Sequence, residues 1–148
     1  VVLALAAYLY LFASPLVEAI ARGTAMSTAF ALQLLGNSAS ANGTLIASGG
    51  AYFNVVTECT AFGPLLLYGA TVLAFPASWR ARVWGLAVGL VVLTGVNLIR
   101  MVSLVYIASL WPQYLETAHF LVWQSLMIVA AIALWLFWME KFARVHPR

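Results

Sequence analysis

Long apolar segments dominate this chain and restrict what it can fold into. Charged residues make up 7% of its 148 residues and hydrophobic residues 65%, whereas a soluble domain carries about 25% charged residues. A helix needs about 20 apolar residues to cross a bilayer. Four segments reach or approach that length: Val1–Ile20, Thr60–Phe75, Val83–Leu110 and Thr117–Met139. The sequence therefore predicts an all-α integral membrane protein, a single domain over residues 1–148 with about four transmembrane helices.

Basic residues outside the spans predict the orientation. They form two clusters, Arg80 with Arg82 after the second span, and Lys141 with Arg144 and Arg148 after the fourth. With four spans both clusters fall on one side, and Lys and Arg concentrate in cytoplasmic loops. We therefore expect a multi-pass protein of the bacterial inner (cytoplasmic) membrane, with residues 21–58 on the extracytoplasmic side. The net charge of +3 is too small and too scattered to indicate a nucleic-acid partner.

The extracytoplasmic segment contains signals for two small elements. Thr24–Leu35 mixes polar and apolar residues, which predicts a helix lying at the membrane interface. Further on, two β-prone runs, Thr44–Ser48 and Ala51–Val56, flank the pair Gly49-Gly50. Two glycines between β-prone runs are a strong signal for a β-hairpin. The predicted hairpin leads directly into Cys59, the only cysteine of the chain.

Cys59 is predicted to lie at the N-terminus of the second transmembrane helix. Proline is tolerated only within the first turn of a helix, so Pro64 places the helix start near Cys59 or Thr60. A helix N-terminus and nearby cations favour the thiolate form of cysteine, which is the nucleophilic form. A lone cysteine on an apolar helix is more often a small buried hydrophobe, so this position alone does not identify a nucleophile.

Cys59, Arg100 and His119 are predicted to share one depth in the membrane. At about 1.5 Å per residue they lie about 25, 27 and 33 Å from the cytoplasmic ends of their spans, near the outer edge of the hydrocarbon layer. In a shared site, His119 is suited to take and return the thiol proton, and Arg100 to stabilise an oxyanion. Considered singly, each residue also has a structural interpretation. Arg100 can be an arginine that extends to the membrane interface, and His119 an interfacial histidine.

Two acids near these residues have open roles. Glu58 disfavours a thiolate at Cys59 unless it points elsewhere, and we expect it to pair with Arg22 or to orient substrate. Glu116 lies one turn before His119, where it either orients the imidazole or is a solvated acid at a helix start.

A non-catalytic function is the main alternative. In that reading the chain is a small membrane subunit that binds a lipid headgroup, ion or cofactor through Arg100 and His119. The chain has no aspartate and no H-E-x-x-H motif, which argues against an aspartyl or zinc intramembrane protease. The other histidine, His146, lies in the predicted cytoplasmic tail, which argues against haem. We expect no cofactor and no metal.

The order of these motifs resembles the exosortase/archaeosortase family. The motifs are ECTAFGP with Cys59, NLIRM with Asn97 and Arg100, and TAHF with His119, and the resemblance covers Ala41 to about Trp123. It implies a cysteine protease/transpeptidase that cleaves the C-terminal sorting signal of secreted proteins through a Cys59 thioester. The implied partners are the bilayer and membrane-anchored substrates with a C-terminal motif, a transmembrane helix and a basic tail.

The resemblance also implies roles for individual residues. Cys59, Arg100 and His119 match the catalytic positions of the family, while Asn97, Glu58 and Thr60 are predicted to bind or orient the substrate. In particular, Asn97 lies one turn from Arg100 and is expected to orient its guanidinium. Many family members carry Cys-Ser-Gly where this chain has Cys59-Thr60-Ala61, and many have about eight spans. The low span count is similar to that of the short exosortase H type.

Overall fold

The computed structural model describes residues 15–143, which form four α-helices and a small sheet. The helices are α1 (Pro15–Leu34), α2 (Phe62–Ala74), α3 (Trp79–Leu110) and α4 (Gln124–Trp138). Short 3₁₀ turns occupy Thr57–Cys59 and Pro112–Tyr114. Two π-helical stretches, Thr117–Trp123 and Met139–Ala143, extend α4 at its ends.

Two helices in residues 15–143 are long and apolar enough to cross a membrane. They are α3 and the extended fourth helix, Thr117–Phe142. Helix α2 has 13 residues and covers only about 20 Å. Its start is limited by Pro64, which lies in the first turn. It ends before Phe75, which is extended because it precedes Pro76. Most of the predicted first span, Val1–Ile20, lies outside the described residues. The predicted count of four spans is therefore not confirmed.

Within the described residues, no break in the helix separates the predicted first span from the predicted interfacial helix. Helix α1 continues from Pro15 through Leu34 without a break. The hydroxyl groups of Thr24, Ser27 and Thr28 each donate to the carbonyl four residues earlier, so these polar side chains are satisfied inside the helix.

The predicted β-hairpin is present and belongs to a three-stranded antiparallel sheet. Its strands are β1 (Ala39–Asn42), β2 (Leu45–Ser48) and β3 (Ala51–Asn54), in the order β1-β2-β3. Gly49 and Gly50 have φ values of +58° and +80°, which glycine adopts without steric cost. Strands β1 and β2 form another hairpin, which turns at Gly43, a residue that also has a positive φ. Strand β1 was not predicted, although Asn42-Gly43 is a turn signal.

Two clusters of buried side chains hold the elements together. In the first, one face of the sheet packs on α1 and α3, around Ile46, Leu32 and Met101. In the second, α2, α3 and α4 meet around Tyr68, Leu93 and Trp138. Cys59 belongs to the first cluster, so the sheet and the helices together fix its position.

Close helix contacts in the second cluster depend on glycine. A Cβ atom on Gly89 would overlap the ring of Tyr68, and one on Gly85 would overlap the indole of Trp138. The Tyr68 hydroxyl donates to the Gly85 carbonyl at 3.0 Å. By contrast, a Cβ atom on Gly95 would meet no heavy atom within 4 Å in the part of the chain that the structure describes. Of the glycines on α3, therefore, Gly85 and Gly89 permit the close packing.

Candidate active site

Cys59 lies on the 3₁₀ turn Thr57–Cys59, between the sheet and α2. Its N–H donates to the carbonyl of Val56 at 2.9 Å. Thr60 is extended, with φ −97° and ψ 164°, and the α-helix begins only at Phe62. The sequence predicted Cys59 at the N-terminus of α2. In the structure it lies instead on a separate turn, which is held by its own hydrogen bonds.

Cys59 and His119 contact each other across 60 residues of sequence. The distance from the Cys59 Sγ to the His119 Nε2 is 3.4 Å, which is within hydrogen-bonding reach for sulfur. Cys59 is 8% exposed, and His119 is half-buried. His119 lies in the π-helical stretch Thr117–Trp123, and single π-helical turns inside α-helices are frequent at functional sites. The pair has the geometry of a nucleophile beside a base.

Arg100 is buried beside this pair. It is 1% exposed, and its charge acts on both Cys59 and His119. Its Nε and Nη2 atoms are buried and have no hydrogen-bond partner within residues 15–143. An unpaired buried donor is costly, and donors of this kind stabilise an oxygen that becomes negatively charged where they can reach it.

The protonation state of Cys59 differs from the one its position predicted. Burial raises the pKa of the Cys59 thiol, and the neighbouring Glu58 acts in the same direction. The backbone of Val56 and the charge of Arg100 lower that pKa but do not outweigh burial. The resting residue is therefore a thiol at neutral pH, and a base must accept its proton before it can act as a nucleophile.

Asn97 contacts the cysteine backbone. Its Nδ2 donates to the carbonyl of Cys59 at 3.0 Å, and the residue is 3% exposed. Its Oδ1 is buried without a hydrogen-bond partner in the described part of the chain. Asn97 therefore fixes the turn that carries the thiol, whereas the sequence had predicted contact with the guanidinium of Arg100.

The other predicted site residues are placed differently. The hydroxyl of Thr60 donates to the carbonyl of Thr57 at 2.7 Å and accepts from the N–H of Phe62 at 3.3 Å, so it caps the local turns. Glu58 is exposed. The expected pair of Glu58 with Arg22 is wrong, because Arg22 donates to Glu18 one turn away on α1. That pair forms because residues four apart on a helix are neighbours.

A cavity of about 520 Å³ opens onto the Cys59–His119 pair, within the usual size range of ligand pockets. One part of its lining comes from β3 and Val56, and another from the connection between α3 and α4, which includes Gln113 and Glu116. Arg100 does not line it. The sequence analysis did not predict that either segment lines a cavity. It did predict the hairpin that contains β3, next to Cys59.

Comparison with known proteins identifies the family. The sequence profile described as "Transmembrane exosortase (Exosortase_EpsH)" matches residues 1–139. The chain belongs to the transmembrane exosortase family. No curated protein sequence and no solved structure matches it. Membership agrees with the apolar helices and indicates, for the family in general, the processing of sorting signals at a membrane.

Proposed function

We propose that this exosortase is an active cysteine peptidase or transpeptidase that cleaves the C-terminal sorting signal of secreted proteins. The observation that carries the proposal is the 3.4 Å contact between the Cys59 sulfur and the His119 imidazole at the wall of a cavity. Arg100, whose buried Nε and Nη2 have no hydrogen-bond partner among the described residues, lies beside this pair. In a member of the exosortase family, these groups are suited to acyl transfer.

The proposed reaction has two steps. In the first, His119 takes the proton of Cys59, and the sulfur attacks the carbonyl carbon of the scissile peptide. Arg100 stabilises the oxyanion. His119 then gives its proton to the leaving amine, so the C–N bond breaks and a thioester remains on Cys59. In the second step an amine or water attacks the thioester, which releases the sulfur and transfers or hydrolyses the substrate.

The proposed substrates are membrane-anchored proteins with a C-terminal motif, a transmembrane helix and a basic tail. We place the site on the extracytoplasmic side of the inner membrane, because Arg80 and Arg82 begin α3 at its opposite end from Arg100 and basic loops stay in the cytoplasm. A substrate helix beside the bundle then brings its outer end to the depth of Cys59.

Cys59→Ala tests the proposal directly. The variant and a candidate substrate are co-expressed, and we expect cleavage to be abolished while the folded variant still binds the substrate. Met26→Ala, at a side chain 65% exposed on α1, is the control and should cleave normally. Mass spectrometry of the new C-terminus separates hydrolysis from transfer, and added hydroxylamine should leave a hydroxamate there if a thioester forms. Unchanged cleavage by Cys59→Ala would contradict the proposal.

A further inference from the structure

Strand β3 has a free edge next to the candidate active site. It is an outer strand of the sheet, and within residues 15–143 only β2 pairs with it. The outer edge of such a strand presents N–H and C=O groups that can pair with a further strand. Whether those groups face the cavity depends on which residues of β3 point away from β2.

The register of the hairpin identifies these residues. Its two-residue turn is flanked by the pair Ser48 and Ala51, which is hydrogen-bonded in hairpins of this kind, and hydrogen-bonded pairs recur at every second residue. The N–H of Val55 donates to the carbonyl of Thr44 at 2.8 Å, which continues the same alternation. The main-chain groups of the residues between, at positions 52 and 54, therefore point away from β2.

This outward edge leads to the nucleophile. Tyr52 and Asn54 line the cavity, together with Val56 and Cys59. Val56 is the next residue, after positions 52 and 54, whose main-chain groups point away from β2. A backbone hydrogen bond from Val56 favours the thiolate form of Cys59. A strand paired with this edge therefore runs towards the sulfur.

The outer edge of β1 offers no comparable site. The carbonyl of Ala39 accepts a hydrogen bond from the Gln33 Nε2 at 2.7 Å, and Ala39 is buried against α1. Of the two outer edges of this sheet, only that of β3 borders the cavity.

We infer that the protein substrate binds as a fourth strand on the outer edge of β3. The occupant is the extended segment of the substrate that precedes its transmembrane helix. This inference rests on the proposed function and adds how the substrate is held. Its hydrogen bonds go to the main chains of Tyr52 and Asn54, and the next substrate peptide group lies at Cys59. Binding by strand addition draws affinity from the main chain and specificity from side-chain pockets.

Paired variants at Tyr52 separate the main chain from the side chain. Tyr52→Pro removes an outward N–H and leaves the ladder with β2 intact, as is tolerated on an edge strand, whereas Tyr52→Ala removes only the side chain, which is 73% exposed. We expect kcat/KM for a co-expressed or purified substrate to be about tenfold lower in Tyr52→Pro than in Tyr52→Ala. Equal values in two folded variants would overturn the inference. An unchanged reaction rate of Cys59 with a small thiol reagent verifies folding.

Disulfide cross-linking provides a second test that does not depend on the proline variant. Because Cys59 is the only cysteine, Cys59→Ala provides a cysteine-free background into which Tyr52→Cys is introduced. Single cysteines are then placed at successive positions of the substrate segment. Side chains of a strand alternate between its two faces, so we expect cross-links at every second position. A helical period, uniform cross-linking or none would overturn strand addition.

The experiments distinguish failure of this inference from failure of the proposed function. If Cys59→Ala abolishes cleavage while Tyr52→Pro matches Tyr52→Ala, the enzyme is a cysteine peptidase that binds its substrate in another way. If Cys59→Ala cleaves normally, the proposed function itself is wrong, whatever the cross-links show.

Discussion

Replacing Gly89 with alanine tests how α2 packs against α3. The added Cβ would lie 2.6 Å from Cδ1 of the Tyr68 ring, closer than Cβ atoms approach other heavy atoms in folded proteins. That ring is 2% exposed, and its hydroxyl donates to the Gly85 carbonyl, so it cannot move without losing this bond. Overpacking costs about 1–3 kcal/mol and the lost hydrogen bond about 1 kcal/mol. Alanine regains about 1 kcal/mol of helix propensity, so the net loss of stability is about 1–3 kcal/mol.

Gly95→Ala is the matched control for this substitution. It lies on the same helix, and its new Cβ meets no heavy atom of residues 15–143 within 4 Å, so we expect unchanged or slightly increased stability. The two variants should then differ by about 1–4 kcal/mol. Unfolding by sodium dodecyl sulfate in mixed micelles, followed by circular dichroism, measures the difference. Tyr68→Ala should abolish the cost of Gly89→Ala in a double-mutant cycle. Equal stability of the two single variants would refute the packing argument.

Two further predictions concern the site. Burial raises the pKa of the Cys59 thiol above its ordinary value of about 8.5, so its labelling by a membrane-impermeant thiol reagent should still increase with pH beyond about pH 8.5. Labelling should occur only when the reagent is outside the cell. A plateau below pH 8.5, where free cysteine titrates, or labelling only from the cytoplasmic side contradicts the site's electrostatics or its orientation. Arg100→Lys should lower kcat about 10²–10³-fold, because an ammonium cannot replace a planar guanidinium; a near-normal kcat in a co-expression or purified assay would remove the oxyanion role.

Local signals in the sequence were sufficient for several elements. The hairpin was predictable because Gly49-Gly50 can take positive φ at both positions. The end of α2 was predictable because the residue before proline avoids the helical conformation. The long apolar helices were predictable because backbone groups inside a bilayer must be satisfied within the helix.

The contacts within the site were not predictable to the same extent. Counting residues along the helices placed Cys59, Arg100 and His119 at one depth, but depth does not determine which side chains meet. The bond from Asn97 to the Cys59 carbonyl joins residues 38 apart in sequence. The raised pKa of Cys59 follows from burial by several elements, which no local pattern reports.

The sequence by itself determined the apolar helices, the hairpin and the order of cysteine, arginine and histidine along the chain. These properties depend on residues near one another, through hydrophobicity and allowed backbone angles. Only the tertiary structure decided that the sulfur contacts the imidazole, that Asn97 donates to the Cys59 carbonyl, and that the outer edge of β3 borders the same cavity. These features depend on the relative placement of separate elements, which is set by packing between residues far apart in the chain.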